Sequence, residues 1–429
     1  MTSRPLTVSP GTPPQRWEVR VPGSKSITNR VLLLAGVAAG TSLLHNPLIA
    51  DDTETMAQAL RALGVTVELQ ASTDGAAAWS VGGLAGPPTG PASLWCGQAG
   101  TVGRFLVPML AAGEGRFEVD ADVQLRRRPL GPVVEALATQ GAQIDGEAFP
   151  LVLEAAGLSG GEVDVDASVS SQFLSGLLMA APLARRATTL RFEALVSRPY
   201  LRLTLEAMAA FDAADVSVGE RALAVKPRAY RATELEIEPD ASTASYFLAS
   251  AALTGTNVRL PGLSLERSSQ GDLEIVGHLQ QMGATVRDHP TGLELTGPSR
   301  LRGVTVDMGN SSDVFMTLAC VAPFADGPTT IGGIGHVRVK ESDRLEATAA
   351  NLRLLGVEVE EGADYLRIHP GEPRSARLET YDDHRIAMSF SLIGTHVPVE
   401  LKDPAVVAKT CPTFFELWQL TGARVAPVA

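Results

Sequence analysis

One pattern recurs six times along the chain and limits what it can fold into. A segment with apolar residues at i, i+3, i+4 and i+7 ends at Gly or another small residue, and a short strand-like alternation follows. The six segments are 53–68, 132–144, 205–218, 272–287, 345–359 and 414–425. The predicted helix ends, roughly 70 residues apart, are Gly64, Gly141, Ala213, Gly283, Gly356 and Gly422. Solenoid repeats have shorter periods of about 20–50 residues, so each repeat here predicts a small α/β module.

Each repeat also contains a short strand, a polar turn and a helix that is apolar on nearly every face. The turns are 23–26, 97–101, 168–171, 240–243, 309–313 and 381–384. Helices without a polar face are typical of buried helices, and the clearest are 101–112, 172–184, 244–253 and 314–323. Any α/β chain yields some similar helices, but here both patterns recur in the same order. Six strand–helix–strand–helix units therefore predict two similar α/β lobes of three units each.

Composition excludes several classes of protein. The 429 residues are 45% hydrophobic, which is enough for a substantial core. A net charge of −12 and an aromatic content of 5% argue against a nucleic-acid-binding protein. Cys96, Cys320 and Cys411 lie far apart, which argues against a disulfide framework and a zinc ribbon, and the histidines form no close pair, so we expect no metal site. Without a signal-like or membrane-length apolar segment, the sequence predicts a cytoplasmic protein.

The six polar turns are candidate anion-binding sites. Each would present backbone N–H groups at a helix start, although Ser, Thr and Asp are also ordinary helix caps. Cations accumulate near these turns in an otherwise acidic chain, and Arg and Lys are the side chains that bind carboxylate and phosphate. They are Lys25, Arg30, Arg104, Arg126, Arg127, Arg128, Arg198, Arg338, Lys340, Arg344, Arg385 and Lys409. The pattern predicts a small, multiply charged anionic ligand.

Nucleotide-binding motifs are not matched. A P-loop requires Gly directly before its Lys, and Ser24 occupies that position before Lys25. No GxGxxG follows a predicted strand and opens a helix. We therefore expect neither ATP nor NAD, and no other cofactor.

Several motifs, in this order and at these spacings, resemble those of the EPSP synthase family along essentially the whole chain. They are Pro22-Gly23-Ser24-Lys25-Ser26 with Asn29-Arg30, Gln98-Ala99-Gly100-Thr101 with Arg104, Arg128-Pro129, Ser170-Ser171-Gln172-Phe173, Ser197-Arg198-Pro199-Tyr200, Asp313, Arg338 to Leu345, Asp383-His384-Arg385 and Lys409. The resemblance implies two lobes, each of three βαβαββ units packed around buried helices. It also implies an N-terminal lobe at 23–238, and a C-terminal lobe made of 239–429 together with 1–22.

The resemblance implies transfer of the enolpyruvyl group from phosphoenolpyruvate to the 5-hydroxyl of shikimate 3-phosphate, with release of phosphate, in the shikimate pathway. These two small anions would be the partners of a monomer that binds neither nucleic acid nor membrane. The residues implied for shikimate 3-phosphate are Lys25, Ser26, Arg30, Ser170, Ser171, Gln172, Ser197, Tyr200, Asp313, His336 and Lys340. Those implied for phosphoenolpyruvate are Lys25, Gly100, Arg128, Gln172, Arg344, Arg385 and Lys409.

The implied mechanism is addition followed by elimination, and both halves need proton transfer. By resemblance, Asp313 would accept the proton of the attacking hydroxyl, and Glu341, helped by Lys25, would protonate the methylene carbon. From the residues alone, Asp313 is equally a helix cap, and Glu341 equally an ion-pair partner of Arg344.

Three positions depart from the family pattern, and two other functions stay open. Gln98 replaces a common Asn, Phe105 a common Pro, and His336 an Asn that often contacts shikimate 3-phosphate. One alternative is UDP-N-acetylglucosamine enolpyruvyl transferase, which has the same fold and uses a loop cysteine, whereas Cys96 lies on a predicted strand. The other is a non-catalytic anion-binding relative, which the presence of both Asp313 and Glu341 disfavours.

Overall fold

The computed structural model describes residues 4–71 and 77–428. The chain divides into two compact units. The first lobe is Gly23–Ile237, and the second lobe combines Met1–Pro22 with Glu238–Ala429. Within the described ranges, the helices all fall short of the length and apolarity that a membrane crossing requires.

The described residues form six four-stranded sheets. The strands are β1 (Leu6–Ser9), β2 (Arg16–Glu18), β3 (Thr41–His45), β4 (Thr66–Ala71), β5 (Ala77–Gly82), β6 (Ala92–Trp95), β7 (Glu114–Asp120), β8 (Gln143–Asp145), β9 (Leu151–Ala156), β10 (Gly161–Asp164), β11 (Thr188–Arg191), β12 (Val216–Val218), β13 (Ala222–Val225), β14 (Glu234–Glu236), β15 (Asn257–Pro261), β16 (Thr285–His289), β17 (Gly292–Thr296), β18 (Thr305–Asp307), β19 (Thr329–Gly332), β20 (Val359–Glu361), β21 (Leu366–Ile368), β22 (Ala376–Leu378), β23 (Val399–Leu401) and β24 (Arg424–Pro427).

Two classes of helix alternate with these strands. The α-helices are α1 (Lys25–Val37), α2 (Asp51–Ala62), α3 (Gly100–Ala111), α4 (Val123–Arg126), α5 (Gly131–Thr139), α6 (Ser171–Ala180), α7 (Pro199–Ala210), α8 (Ala241–Thr254), α9 (Glu274–Gln281), α10 (Phe315–Val321), α11 (Arg344–Leu354), α12 (His384–Phe390) and α13 (Phe414–Trp418). Short 3-10 helices cover Ala181–Leu183, Gly271–Leu273, Ala322–Phe324, Gly335–Val339, Ile393–Thr395, Pro404–Lys409 and Gln419–Thr421.

All six sheets share one strand order, which the second repeat shows completely. Strand β6 runs parallel to β7 because α3 connects them as a crossover. Strand β7 pairs antiparallel with β9, and β9 pairs antiparallel with β8. The repeat is therefore βαβαββ, with its fourth strand between the second and the third. This confirms the predicted α/β class.

Three strands pair with strands that are distant from them in the sequence. Strand β2 directly precedes α1 of the first lobe, but it pairs parallel with β15 in the second lobe. Strand β14 directly precedes α8 of the second lobe, but it pairs parallel with β3 in the first. Strand β1 lies between β23 and β24 in the sheet of the last repeat. The two ends of the chain thus share one sheet.

The apolar helices form the centre of each lobe, as the sequence predicts. Every residue of α3, α10 and α12 is buried. Helices α1, α3 and α6 belong to one continuous hydrophobic cluster in the first lobe, and α8, α10 and α12 belong to another in the second. Burial of these helices on all sides places their N-terminal turns at positions fixed by core packing.

Five of the six predicted helix ends adopt a left-handed backbone. Gly64, Gly141, Gly283, Gly356 and Gly422 have φ between 82° and 114°. Glycine adopts this conformation without steric penalty, which explains its repeated use there.

The prediction for the third repeat is wrong by one residue. The left-handed residue is Asp212 (φ 65°), and Ala213 follows it as a buried residue. Asp tolerates the left-handed region better than most residues. Its carboxylate also pairs with Arg228 and Arg231, at 2.7 and 3.3 Å. A helix end at which Asp adopts the left-handed conformation carries no glycine to mark it in the sequence.

Two glycines of one helix provide a stability test. Gly277 lies inside α9, and a Cβ there would meet no atom within 4 Å. Gly283 ends the same helix at φ 114°, where a Cβ would lie 3.3 Å from Pro298 Cβ. We expect Gly277→Ala to raise the free energy of unfolding by about 0.5–1 kcal/mol, and Gly283→Ala to lower it by about 1–2 kcal/mol. Denaturant titration measures both changes, and equal stability of the two variants would contradict the assignment.

Candidate functional site

In the first lobe, the candidate residues lie at the N-terminal turns of α1, α3 and α6. The N-caps of these helices are Ser24, Ala99 and Ser170, and none of the three helices carries an acidic residue in its first turn. The partial positive charge of each helix start is therefore not offset by an acid of the same turn. Such termini favour anions.

Lys25 is the first residue of α1 and is held by a buried carboxylate. Its Nζ lies 3.2 Å from Oδ2 of Asp52, and the two side chains are only 12% and 4% exposed. Asp52 lies in the first turn of α2. The sequence analysis does not single out Asp52, because an acid in a first helical turn is typical of ordinary capping. Lys25 is thus a charged group fixed in a mostly buried position.

Arg128 lies against the first turn of α3 because residue 100 has no side chain. A Cβ at Gly100 would lie 2.8 Å from Arg128 Nη1. Neighbouring Arg126 instead donates to both carboxylate oxygens of Asp120, at 2.7 and 3.0 Å, and is exposed. The three consecutive arginines therefore do not act as one cluster.

Arg30 is buried and makes hydrogen bonds within α1 and to α7. Its Nε donates to Thr204 Oγ1, and Nη1 and Nη2 donate to the carbonyl oxygens of Ser26 and Tyr200. Burial lowers the pKa of Arg30 to about 10, although Tyr200 acts in the opposite direction. Its guanidinium also lies 5.0 Å from the ring centroid of Phe105, the residue that departs from the family pattern.

Arg104 connects α3 to α6 in a similar way. Its Nη1 donates to Gln172 Oε1 at 2.8 Å, Nη2 donates to the carbonyl oxygen of Pro129, and the guanidinium lies 5.1 Å from the Phe173 ring. The backbone N–H of Gln172 donates to Ser170 Oγ. Gln172 is therefore fixed through both its side chain and its backbone.

The remaining first-lobe candidates lie at the starts of α1, α6 and α7. Ser171 is the first residue of α6 and is buried. Ser197, also buried, has φ 51°, and its carbonyl oxygen accepts from the Tyr200 N–H at the start of α7. The predicted turns include Ser26 and Ser171, whereas the helix start beside Ser197 and Tyr200 is not among them.

In the second lobe, Asp313 accepts hydrogen bonds from three cations. Lys340 Nζ and Arg344 Nη1 reach its Oδ1 at 3.3 and 2.9 Å, and Arg385 Nη2 reaches its Oδ2 at 2.9 Å. Burial alone would raise the pKa of Asp313, but Arg385, Lys340 and Arg344 outweigh burial and hold it well below its usual value. The N-cap residue of α10 is Val314, which directly follows Asp313 and makes no side-chain cap hydrogen bond.

Glu341 pairs with two cations. Arg344 Nη2 lies 2.7 Å from one of its oxygens, and Lys409 Nζ lies 3.5 Å from the other. The ion pair with Arg344 is confirmed. A second partner in Lys409 shows that the carboxylate does more than stabilise one helical turn.

Arg344 joins the candidate acid–base residues. Besides Asp313 and Glu341, its guanidinium donates through Nε and Nη2 to the two oxygens of Asp383, at 2.8 and 3.2 Å. Only 1% of the Arg344 side chain is exposed. Asp383 also caps α12 through the Arg385 N–H. The family motif contains Asp383, but the predicted set of site residues omits it.

His336 is neutral near pH 7. Its Nε2 lies 2.8 Å from Ser312 Oγ, directly before Asp313. Burial first, and then the charge of Lys340, lower the pKa of His336 to about 4. A neutral imidazole retains one N–H, so it can still act as a hydrogen-bond donor at this position.

Asp272 is a second buried carboxyl group near Asp313, which the sequence analysis does not identify. Ser242, in the first turn of α8, donates its hydroxyl to Asp272 Oδ2. Burial, followed by the charge of Asp313, raises the pKa of Asp272 from 3.8 to about 6, and Arg385 offsets part of this rise. An isolated Asp before a helix carries no sequence signal that distinguishes it from a cap.

The raised pKa of Asp272 predicts a pH-dependent change in stability. The native state binds this proton more tightly than the unfolded state, so this group lowers the free energy of unfolding as pH rises from about 4 to 6. We expect Asp272→Asn to be stabilising relative to wild type, by about 1 kcal/mol more at pH 7.5 than at pH 5. Denaturant titration at both pH values measures this. Ser242→Ala removes a donor to the carboxylate and should have the opposite effect, and the idea is wrong if the Asn variant shows no pH-dependent difference.

The chain is similar to known proteins over nearly its whole length. The family model described as EPSP synthase (3-phosphoshikimate 1-carboxyvinyltransferase) matches residues 11–418. The 3-phosphoshikimate 1-carboxyvinyltransferase of Yersinia pseudotuberculosis is 43% identical over 430 residues, which cover 97% of each chain. That of Nostoc punctiforme is 41% identical over 405 residues, which cover 92% of this chain and 94% of its own.

A solved structure extends the agreement to the fold. The EPSP synthase of Acinetobacter baumannii has a TM-score of 0.83 to this chain at 27% sequence identity, and the match covers 99% of this chain and 100% of that chain. Sequence and structure comparisons thus agree over nearly the full length, and the chain belongs to the EPSP synthase (3-phosphoshikimate 1-carboxyvinyltransferase) family.

Proposed function

We propose that this protein transfers the enolpyruvyl group of phosphoenolpyruvate to the 5-hydroxyl of shikimate 3-phosphate and releases phosphate. Membership of the family supports this reaction. The structural observation that carries the mechanism is Arg344, whose one guanidinium contacts both Asp313 and Glu341. A proposed base and a proposed acid are thereby held at a fixed spacing.

Each half of the reaction, the addition and the elimination, moves two protons. In the addition, Asp313 accepts the proton of the 5-hydroxyl, whose oxygen bonds to C2 of phosphoenolpyruvate, while Glu341, assisted by Lys25, protonates C3. The product is a tetrahedral adduct. In the elimination, C3 returns a proton to Glu341, the double bond re-forms, and the bond from C2 to the phosphate oxygen breaks. Phosphate leaves with the electron pair and takes up the proton that Asp313 holds, so atoms and charges balance.

The cations around Asp313 also explain how it becomes a base. Arg385, Lys340 and Arg344 hold its pKa well below the usual value in the structure. A bound anion that recruits Arg344 and Arg385 weakens their interaction with Asp313, and its negative charge adds to the effect. Both changes raise the pKa of Asp313. Proton acceptance is therefore coupled to substrate binding.

Substrate binding follows from the contacts of each lobe. The helix starts of α1 and α6 offer N–H groups and hydroxyls for shikimate 3-phosphate. Arg128, which lies against the first turn of α3, offers a planar guanidinium for phosphoenolpyruvate. We assign shikimate 3-phosphate to Lys25, Ser26, Arg30, Ser170, Ser171, Gln172, Ser197, Tyr200, Asp313, His336 and Lys340. We assign phosphoenolpyruvate to Lys25, Gly100, Arg128, Gln172, Arg344, Arg385 and Lys409.

The alternative of a UDP-sugar enolpyruvyl transferase does not fit Cys96. The residue directly follows β6, is fully buried, and its N–H donates to the carbonyl oxygen of Asp120. Burial, and then the charge of Asp120, raise the pKa of the Cys96 thiol to about 12. A buried thiol of this kind does not form a reactive thiolate near pH 7.

The monomeric state and cytoplasmic location stay predictions.

The direct test of the proposal is phosphate release from phosphoenolpyruvate that depends on shikimate 3-phosphate. Asp313→Asn and Glu341→Gln should each lower kcat by about 10²–10⁴-fold, the range for a positioned acid or base. Glu416→Gln, at an exposed carboxylate in α13, serves as the matched control and should retain wild-type turnover. A folded protein that releases no phosphate with both substrates would refute the proposal and leave the non-catalytic alternative.

The contact between Gly100 and Arg128 makes a separate prediction. Gly100→Ala would place a methyl group 2.8 Å from Arg128 Nη1, so the guanidinium must move. Because Arg128 is assigned to phosphoenolpyruvate, we expect the KM for phosphoenolpyruvate to rise about tenfold, with a smaller change in kcat. Gly131→Ala is the control, since a Cβ at Gly131, the first residue of α5, meets no atom within 4 Å. An unchanged KM for phosphoenolpyruvate in Gly100→Ala would rule out this role for Arg128.

A further inference from the structure

Lys340 and Glu341 lie on a segment without regular secondary structure. Residues 340–343, called here the 340–343 loop, connect the 3-10 helix Gly335–Val339 to α11. The Lys340 N–H donates to the carbonyl oxygen of Val337 over a long distance, 3.4 Å. The Glu341 side chain contacts Arg344 and Lys409, at 2.7 and 3.5 Å. Side-chain contacts therefore contribute to the position of this loop.

Arg338 directly precedes Val339 and the 340–343 loop, and its side chain contacts both the far end of this loop and a neighbouring turn. Its Nη1 donates to Oδ2 of Asp343 at 2.7 Å, at the far end of the loop. Its Nε and Nη2 donate to the carbonyl oxygens of Ala363 and Gly362, and Nη2 also reaches Glu361 Oε1 at 3.2 Å. One guanidinium thus joins the end of the loop to the turn between β20 and β21.

Asp343, which accepts from Arg338, also determines where α11 begins. Asp343 uses its other oxygen, Oδ1, to accept the Glu346 N–H at 3.0 Å, which makes it the N-cap of α11. Within the loop, the Ser342 hydroxyl donates to Oδ2 of Asp383 at 3.1 Å. The residues on the C-terminal side of Glu341 are therefore fixed by two carboxylates, one of which Arg338 holds.

We propose that Arg338 is a positioning residue for the reaction, because it clamps Asp343 to the β20–β21 turn and so fixes the loop conformation in which Lys340 reaches Asp313 and Glu341 reaches Arg344 and Lys409. The catalytic meaning of this clamp rests on the proposed function. Arg338 itself acts through Asp343 and the loop backbone.

The geometry requires arginine at this position. Four acceptors lie around one planar group, and they are reached from Nε, Nη1 and Nη2 at the same time. The ammonium of lysine is a point charge with three donors and does not span such a set. The hydrogen bond to Asp343, offset partly by burial, raises the pKa of Arg338, so the group stays charged.

Arg353 is a natural control in the same region. It lies near the end of α11, and its Nη1 and Nη2 donate to Glu361 Oε2 and to the carbonyl oxygen of Val359, both at 3.2 Å. Arg353 therefore shares Glu361 with Arg338, but its hydrogen bonds go to β20 and not to the loop. Removing it tests the loss of contacts to β20, including the surface ion pair with Glu361, without loss of a contact to Asp343.

The experiment compares Arg338→Ala, Arg338→Lys and Arg353→Ala in the full chain, with phosphoenolpyruvate and shikimate 3-phosphate each varied up to saturation. We expect Arg338→Ala to lower kcat about 10–100-fold with smaller changes in both KM values, because a displacement of about 1 Å costs this much at an acid–base centre. Arg338→Lys should recover little of the loss, and added guanidinium ion at millimolar concentration should restore part of it. Arg353→Ala should stay within about twofold of wild type.

A second measurement does not depend on turnover. Amide hydrogen exchange in residues 338–344 should accelerate in Arg338→Ala and stay at the wild-type rate in Arg353→Ala. If wild type shows no activity, the proposed function fails, and the exchange rates still test the clamp. Equal kcat and equal exchange in the two Ala variants would overturn the inference. If Arg338→Ala does not fold, Arg338→Gln and Asp343→Asn provide the same comparison, because the Asn amide oxygen still caps α11.

Discussion

The buried guanidinium of Arg344 is the interaction on which the second-lobe site depends. A charge removed from water is costly unless carboxylates surround it, and here three of them do. Asp383 accepts two hydrogen bonds from it, Asp313 accepts one from Nη1, and Glu341 forms an ion pair with Nη2. Loss of Arg344 would leave these carboxylates without their shared partner. The mutual spacing of the proposed acid and base therefore follows from the charge balance of one side chain.

The two lobes use the same helix starts in different ways. In the first lobe, the N-caps of the buried helices are Ser24, Ala99 and Ser170, which leave the partial positive charge of each helix available. In the second lobe, Asp240 and Asp383 cap α8 and α12 and neutralise it. Cations from other elements then supply the positive charge. One repeat thus yields a surface of hydroxyls and N–H groups in one lobe and an acid–base cluster in the other.

The sequence predicts the repeated fold well because its information is local. Hydrophobic periodicity identifies the two helix classes, and five of six helix ends are marked by Gly. The third repeat escapes this reasoning, because Asp212 takes the left-handed position that Gly occupies elsewhere. The exchange of β2 and β14 between lobes does not follow from periodicity either, because strand pairing over such distances depends on tertiary packing.

The site is predicted in its residue types but not in its connections. Charge and spacing alone do not distinguish Arg126 from Arg128, which only the family resemblance singles out. Arg126 is an exposed partner of Asp120, whereas Arg128 lies against Gly100. Asp52 and Asp272 both resemble helix-start acids, although one fixes Lys25 and the other lies in the field of Asp313. Such roles depend on contacts between residues far apart in the chain, which a local pattern does not encode.

Asp272 and Asp313 show how environment separates two identical groups. Both are buried, but three cations lower the pKa of Asp313, whereas burial and the Asp313 charge raise that of Asp272. Arg385 interacts with both, so any ligand that recruits Arg385 changes the proton affinity of each in the same direction. In the proposed mechanism, Asp313 becomes a stronger base when an anion recruits Arg385. The charge balance that holds the cluster together then also keeps this proposed base weak in the absence of substrate.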